Sequence, residues 1–144
     1  MEPKMGTYDT GSKEWRLNGL LHREDGPAAT YADGAEEWWQ CGKRHREDGP
    51  AVIWTGGTGE WFLNGKHHRV GGPAVTYLSG TEKWYLNGEL HREDGPAIIY
   101  VDSGPPGAFP GREEWWLHGK ELTEDEVWAI KFKKQVDEAV DNAA

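Results

Sequence analysis

Four histidines and four arginines recur in this 144-residue chain at a strict spacing of 23 residues, as His22-Arg23, His45-Arg46, His68-Arg69 and His91-Arg92. Imidazole is the commonest metal ligand and general base in proteins, so the ladder is the first candidate for chemistry. Its spacing argues against a metal site. Equivalent positions in successive antiparallel hairpins lie two strands, roughly 9–10 Å, apart, whereas zinc gathers its ligands at about 2.0–2.1 Å from one centre. A histidine bonded to a turn backbone once per unit is the favoured reading, and neither a metal nor a cofactor is expected. Cys41, the one cysteine, stands at the hairpin position held elsewhere by Asn18, Asn64 and Asn87, so it reads as a turn variant and not as a nucleophile. His118 has no counterpart in the other units and is the one isolated candidate base, with no partner to name. No H-E-x-x-H, G-x-S-x-G, P-loop or C-x-x-C occurs, and Gly56-Gly57-Thr58-Gly59 lies between two strands without a following helix. The expectation is a protein that is not an enzyme and has no catalytic residue.

What every unit shares builds the repeat, and what differs between units is the better guide to function. Arg23, Arg46 and Arg92 are each followed by Glu-Asp, the makings of an internal ion pair, whereas Arg69 is followed by Val70-Gly71. The positions after the hairpin turn are basic in the two middle units, Lys43-Arg44 and Lys66-His67, against Leu20-Leu21 and Glu89-Leu90 outside them. Stacking is expected to gather Lys43, Arg44, Arg46, Lys66, His67 and Arg69 on one side of the middle of the sheet. Trp39, Phe62 and Tyr85 follow the anchor tryptophans, and alternation turns them to the opposite face from Trp38, Trp61 and Trp84. If that face is open, basic groups beside aromatic planes suit a small phosphorylated, base-containing ligand; if not, the aromatics pack across strands and cover the face. The candidate ligand-binding set is therefore Trp39, Lys43, Arg44, Arg46, Phe62, Lys66, His67, Arg69 and Tyr85.

The elements that must position these residues are legible in one unit. Glu14 to Leu17 alternates as a half-buried strand does. Asn18-Gly19 is the strongest two-residue hairpin signal, because a type I′ turn needs positive φ at both positions. Glu24-Asp25-Gly26-Pro27 reverses the chain again, and Ala28 to Tyr31 is a second short strand. A unit of this size cannot bury its own tryptophan, so neighbours must stack. A row of aromatic rings is the expected core, since nine tryptophans offset a hydrophobic share of only 36%. At the end of the chain Thr123-Glu-Asp-Glu126 is a capping box. Trp128, Phe132, Val136 and Val140 then form one apolar stripe on a helix from about 124 to 140, expected to lie over the last unit. Residues 101–114 carry extra Pro, Gly and Phe109, either as a lid or as slack that lets the chain reach the helix.

The pattern Glu-Trp-x-Leu-Asn-Gly-x-x-His-Arg-Glu-Asp-Gly-Pro-Ala resembles a divergent MORN-type repeat of the kind seen in small phage, giant-virus and bacterial proteins. The resemblance covers residues 10 to about 122. It implies a scaffold or binding module of stacked hairpins, and more concretely a virus-encoded anti-defence protein that sequesters a nucleotide signal of host immunity. The fold class expected is mainly β: stacked antiparallel β-hairpin repeats capped by one C-terminal α-helix, in a single domain spanning 1–144.

A net charge of −9 argues against duplex nucleic acid and an anionic membrane surface as partners. It leaves a small anionic nucleotide-like ligand, or a basic surface of a host protein, as the two competing partners. One cysteine and no apolar leader point to the cytoplasm. An uncovered N-terminal sheet edge invites a second copy, hence a homo-oligomer.

Overall fold

The computed structural model describes residues 1–101 and 111–143. The chain is mainly β. Ten antiparallel strands follow one another in chain order through a single sheet: Lys4–Thr7, Lys13–Leu17, Ala29–Thr30, Glu36–Glu37, Val52–Ile53, Gly59–Glu60, Val75–Thr76, Glu82–Lys83, Ile98–Ile99 and Glu113–Glu114. Each unit supplies two of them. Its turn segment, Cys41-Gly42, Asn64-Gly65 or Asn87-Gly88, forms a separate hairpin: Trp39–Gln40 pairs with Lys43–Arg44, Phe62–Leu63 with Lys66–His67, and Tyr85–Leu86 with Glu89–Leu90. In the first unit the hairpin strand Leu20–Leu21 stays attached to Lys13–Leu17. The unit is thus more than the single hairpin expected of it, because the chain leaves the sheet at the anchor tryptophan. Trp38 donates its N–H to the Ala51 carbonyl in the sheet, while its own carbonyl accepts from His45 in the hairpin.

The turns obey the expected chemistry. Asn18, Asn64 and Asn87 sit at φ 51 and Cys41 at φ 48, the left-handed region that asparagine tolerates best outside glycine. His118 occupies the same position, also at φ 48. It has a counterpart in every unit after all, as the turn residue, and the reading of it as an isolated base is corrected.

Register alternates charge with aliphatic bulk along one row of the sheet. Glu37 lies opposite Val52, Val52 opposite Glu60, Glu60 opposite Val75, and Lys83 opposite Ile98. The fully buried positions are Ala28, Ala29, Ala51, Val52, Ala74 and Ala97, with Val75 and Ile98 nearly so. The core is therefore small: Phe62 is buried with Ala51 and Val52, and Trp38 packs against them. The expected row of aromatic rings forms only in part: Phe62 and Trp115 are buried, while Trp15, Trp38, Trp61 and Trp84 are half-buried. A tryptophan that covers a narrow sheet keeps its second face for another group, which the next subsection identifies.

The helix runs Glu124–Ala143 and opens as the capping box requires, with the Glu126 carboxylate accepting from the Thr123 N–H at 2.8 Å. That bond, with the Thr123 hydroxyl, holds the Glu126 carboxyl below its ordinary value. The helix does not lie on its apolar stripe. Val127 and Ile130 are half-covered, and Lys131 reaches back over the Trp115 ring at 5.2 Å. Trp128, Phe132, Val136 and Val140 face away and are exposed. Leu122 and Thr123 stand where the other units carry histidine and arginine, so the helix begins where the fifth arginine would be and Lys131 takes over its ring. Among the described residues no helix is long and apolar enough to cross a membrane. The stretch 102–110, including Phe109 and most of the 101–114 segment, lies outside the described residues.

Candidate ligand-binding cleft in the third unit

Each repeat arginine is clamped between an indole and a glycine. The guanidinium carbons of Arg23, Arg46, Arg69 and Arg92 lie 4.2, 4.1, 4.1 and 4.2 Å from the centres of Trp15, Trp38, Trp61 and Trp84. A Cβ added to Gly49, Gly72 or Gly95 would come within 2.7–2.8 Å of that carbon, so only glycine lets the turn close over the cation. The terminal Nη1 donates to the carbonyl of the proline four residues on, at 3.3 Å in the first unit and 3.2, 3.0 and 3.2 Å in the next three. In units one, two and four Nε also donates to an aspartate, Asp25, Asp48 or Asp94, at 2.8–2.9 Å. The arginine bond holds each of those carboxyls below the usual carboxylate value.

The histidine ladder has a backbone partner in every unit. Nδ1 of His22, His45, His68 and His91 accepts the N–H of Cys41, Asn64, Asn87 and His118, at 3.0–3.2 Å. Each histidine therefore ties down the turn of the following unit, and the proton of its neutral ring sits on Nε2. In units one, two and four that nitrogen lies 3.7 Å from a glutamate, Glu24, Glu47 or Glu93. The bond to a turn backbone expected once per unit is present in all four.

Unit three breaks both carboxylate contacts at once. Val70 stands in place of the glutamate and Gly71 in place of the aspartate, the latter at φ 77. Among the described residues His68 Nε2 and Arg69 Nε have no carboxylate partner. Both residues line a depression of about 410 Å³ with Arg46, Glu47, Trp61, Leu63 and Val70. Its walls carry two arginines against one glutamate. The cleft between units one and two, about 580 Å³, has two arginines against four carboxylates. The cleft on the far side of unit three, about 520 Å³, has two arginines against three carboxylates. The Trp61 cleft carries the fewest carboxylates of the three, and Arg69 is its one arginine without an aspartate.

The structure divides the residues that spacing had gathered. Arg69 and Arg46 reach the cleft, although Arg46 is held by Asp48 and Pro50. Arg44 goes to other rings, 5.2 Å from Trp39 and 5.4 Å from Phe62, and its Nη2 bonds Glu37 at 3.0 Å. His67 lies 4.1 Å from Phe62 and 5.1 Å from Tyr85, with Nε2 2.7 Å from Glu60. This bond, with one from the Trp54 N–H, holds the Glu60 carboxyl below its ordinary value, while burial pushes the Tyr85 hydroxyl up. Trp39, Arg44, Phe62, His67 and Tyr85 thus form one packed row with their charges paired, which is the expected alternative of aromatics packing across strands, and Arg44 and His67 stand apart from Arg46 and Arg69. Lys43 and Lys66 stand on the exposed hairpins, with their stems against Gly65 and Gly88. Sequence reasoning missed His68, Trp61, Leu63 and Val70 as cleft residues. The signal was present, since the two residues that free Arg69 free His68 as well.

Among the described residues no group of three His, Cys, Asp or Glu is placed to hold a metal. Compared with models of known protein families and with curated proteins, the chain matches none.

Proposed function

We propose that this protein is a non-catalytic binding module whose third unit holds a small anion, of phosphate or nucleotide type, against His68 and Arg69. The observation that carries the reading is the paired loss at Val70 and Gly71. Two adjacent donors that elsewhere meet carboxylates are left facing a cleft, and an anionic ligand restores what the chain has removed. Charge-assisted bonds to a guanidinium are short and directional, and its fork suits phosphate oxygens. A depression of about 410 Å³ falls in the size range of small-molecule sites. The resemblance to phage-type repeat proteins favours a nucleotide signal among such anions, held and not processed.

Isothermal titration with inorganic phosphate, pyrophosphate and a panel of nucleotides tests this. Binding of at least one member is expected, and Val70→Glu, which returns the glutamate of the other units, should weaken it about tenfold or more. Absence of heat with every member sinks the proposal, as does a Val70→Glu variant that binds like the parent.

A further inference from the structure

The 20-residue helix Glu124–Ala143 has no buried residue, and Lys131 to Ala143 are exposed throughout. Trp128, Phe132, Val136 and Val140 are 65, 51, 44 and 63% exposed, with the first two rings stacked at 5.1 Å. Helices gain most of their stability in proteins from packing an apolar face, and among the described residues nothing covers that face. Its charge pattern names what fits. Lys131 is turned to Trp115, and Lys134, three residues on, shares that side of the helix, which leaves Lys133 as the lysine of the free side. Lys133 and Asp137 each follow a stripe residue by one position, so they line the same flank of the stripe.

We infer that this helix pairs antiparallel with its copy in a second molecule, making the protein a symmetric dimer through the Trp128–Val140 stripe. A two-fold axis midway between Phe132 and Val136 sets Phe132 against the partner's Val136 and Trp128 against the partner's Val140, large ring against small side chain, twice each. The same axis brings like flank to like flank, so along that one flank Lys133 of each copy meets Asp137 of the other, twice in all. Rows of residues at four-residue steps run along each other when the axes cross at about 50°. One helix pair is a small interface, so association is concentration-dependent and in the weak class. The helix carries six carboxylates against three lysines, which disfavours an anionic lipid surface as occupant of the same stripe. The inference is independent of the anion cleft.

Sedimentation equilibrium of the full chain over a hundredfold concentration range is the test, with helicity followed by circular dichroism. A monomer–dimer equilibrium is expected. Lys133→Glu and Asp137→Lys should each weaken it about tenfold or more, since each sets like charges together, while the double variant Lys133→Glu/Asp137→Lys should restore it to within about twofold. Phe132→Ala should abolish it with the β-sheet intact. A chain monomeric at every concentration overturns the inference. So does a double variant no better than either single one, or a stripe that leaves the chain monomeric and binds neutral or anionic vesicles instead.

Discussion

Replacing Gly95 by alanine separates the arginine clamp from every other role a turn glycine can have. A Cβ at Gly95 would lie 2.8 Å from Arg92 Cζ and 3.0 Å from Nε, closer than atoms tolerate, and Gly95 does not have a positive φ. The movable group is the guanidinium, so it is displaced from Trp84. The lost cation–π contact is worth about 0.5–1 kcal/mol at a half-exposed site and the lost bond to the Pro96 carbonyl about 1 kcal/mol, while the exposed pair with Asp94 adds little. Against this, alanine narrows the unfolded ensemble by about 0.4–1 kcal/mol. The net expectation is a loss of about 1 kcal/mol, or roughly 3 °C in melting temperature for a chain of this length. The same substitution made on Arg92→Ala has no guanidinium to displace, and only the unfolded-state gain remains. A double-mutant cycle in urea should therefore show a coupling of about 1–2 kcal/mol, with Gly95→Ala changing sign between the two backgrounds. Equal destabilisation in both backgrounds would refute the clamp and make the glycine a plain backbone requirement.

Other outcomes follow from the same contacts. His91→Ala leaves the His118 N–H without its acceptor in a left-handed turn and should cost about 2 kcal/mol in urea unfolding, against less than half of that for the exposed Leu20→Ala. The arginine bonds hold Asp25, Asp48 and Asp94 below the ordinary aspartate value, so what they add to stability is complete above that ordinary value and is lost as pH falls through the lowered folded values. Urea titrations between pH 5 and pH 2 should show a shallower loss in a variant with all three changed to asparagine, and an unchanged slope would contradict the assignment. Thr123→Ala removes the cap whose hydroxyl accepts the Glu126 N–H, and should cost about 1 kcal/mol. The loss is expected as reduced helical circular dichroism with little change in tryptophan fluorescence.

The repeat made most of the sheet readable in advance, because its turns rest on local chemistry. Asn18, Asn64 and Asn87 need positive φ whatever surrounds them, and one histidine per unit bonded to a turn follows from the period alone. What spacing does not carry is direction across the fold. Arg44 and Arg46 are two residues apart and strand alternation sets them side by side. The strand ends between them, and one goes to Trp39 while the other goes to Trp38. The stripe from Trp128 to Val140 was equally visible, but periodicity proves a face without saying which side the body takes. The body took Val127, Ile130 and Lys131, because Lys131 fills the place over Trp115 that arginine fills elsewhere. Arg69 was legible as a residue without acids; that His68 shares its situation required knowing that Nε2 points along the missing glutamate.

The histidine-to-turn bond always runs from one unit to the next and never back, which gives the array a grammar for growth. A unit copied into any internal joint finds a histidine waiting for its turn and offers a histidine to the turn that follows, so duplication leaves no donor stranded. The C-terminal end obeys a different rule. There the acceptor for a further turn is gone, replaced by Leu122, and the chain has turned into a helix. Length can therefore change inside the array without disturbing either its start or its terminator, and any one copy can drift, as the third has, while its neighbours hold the register.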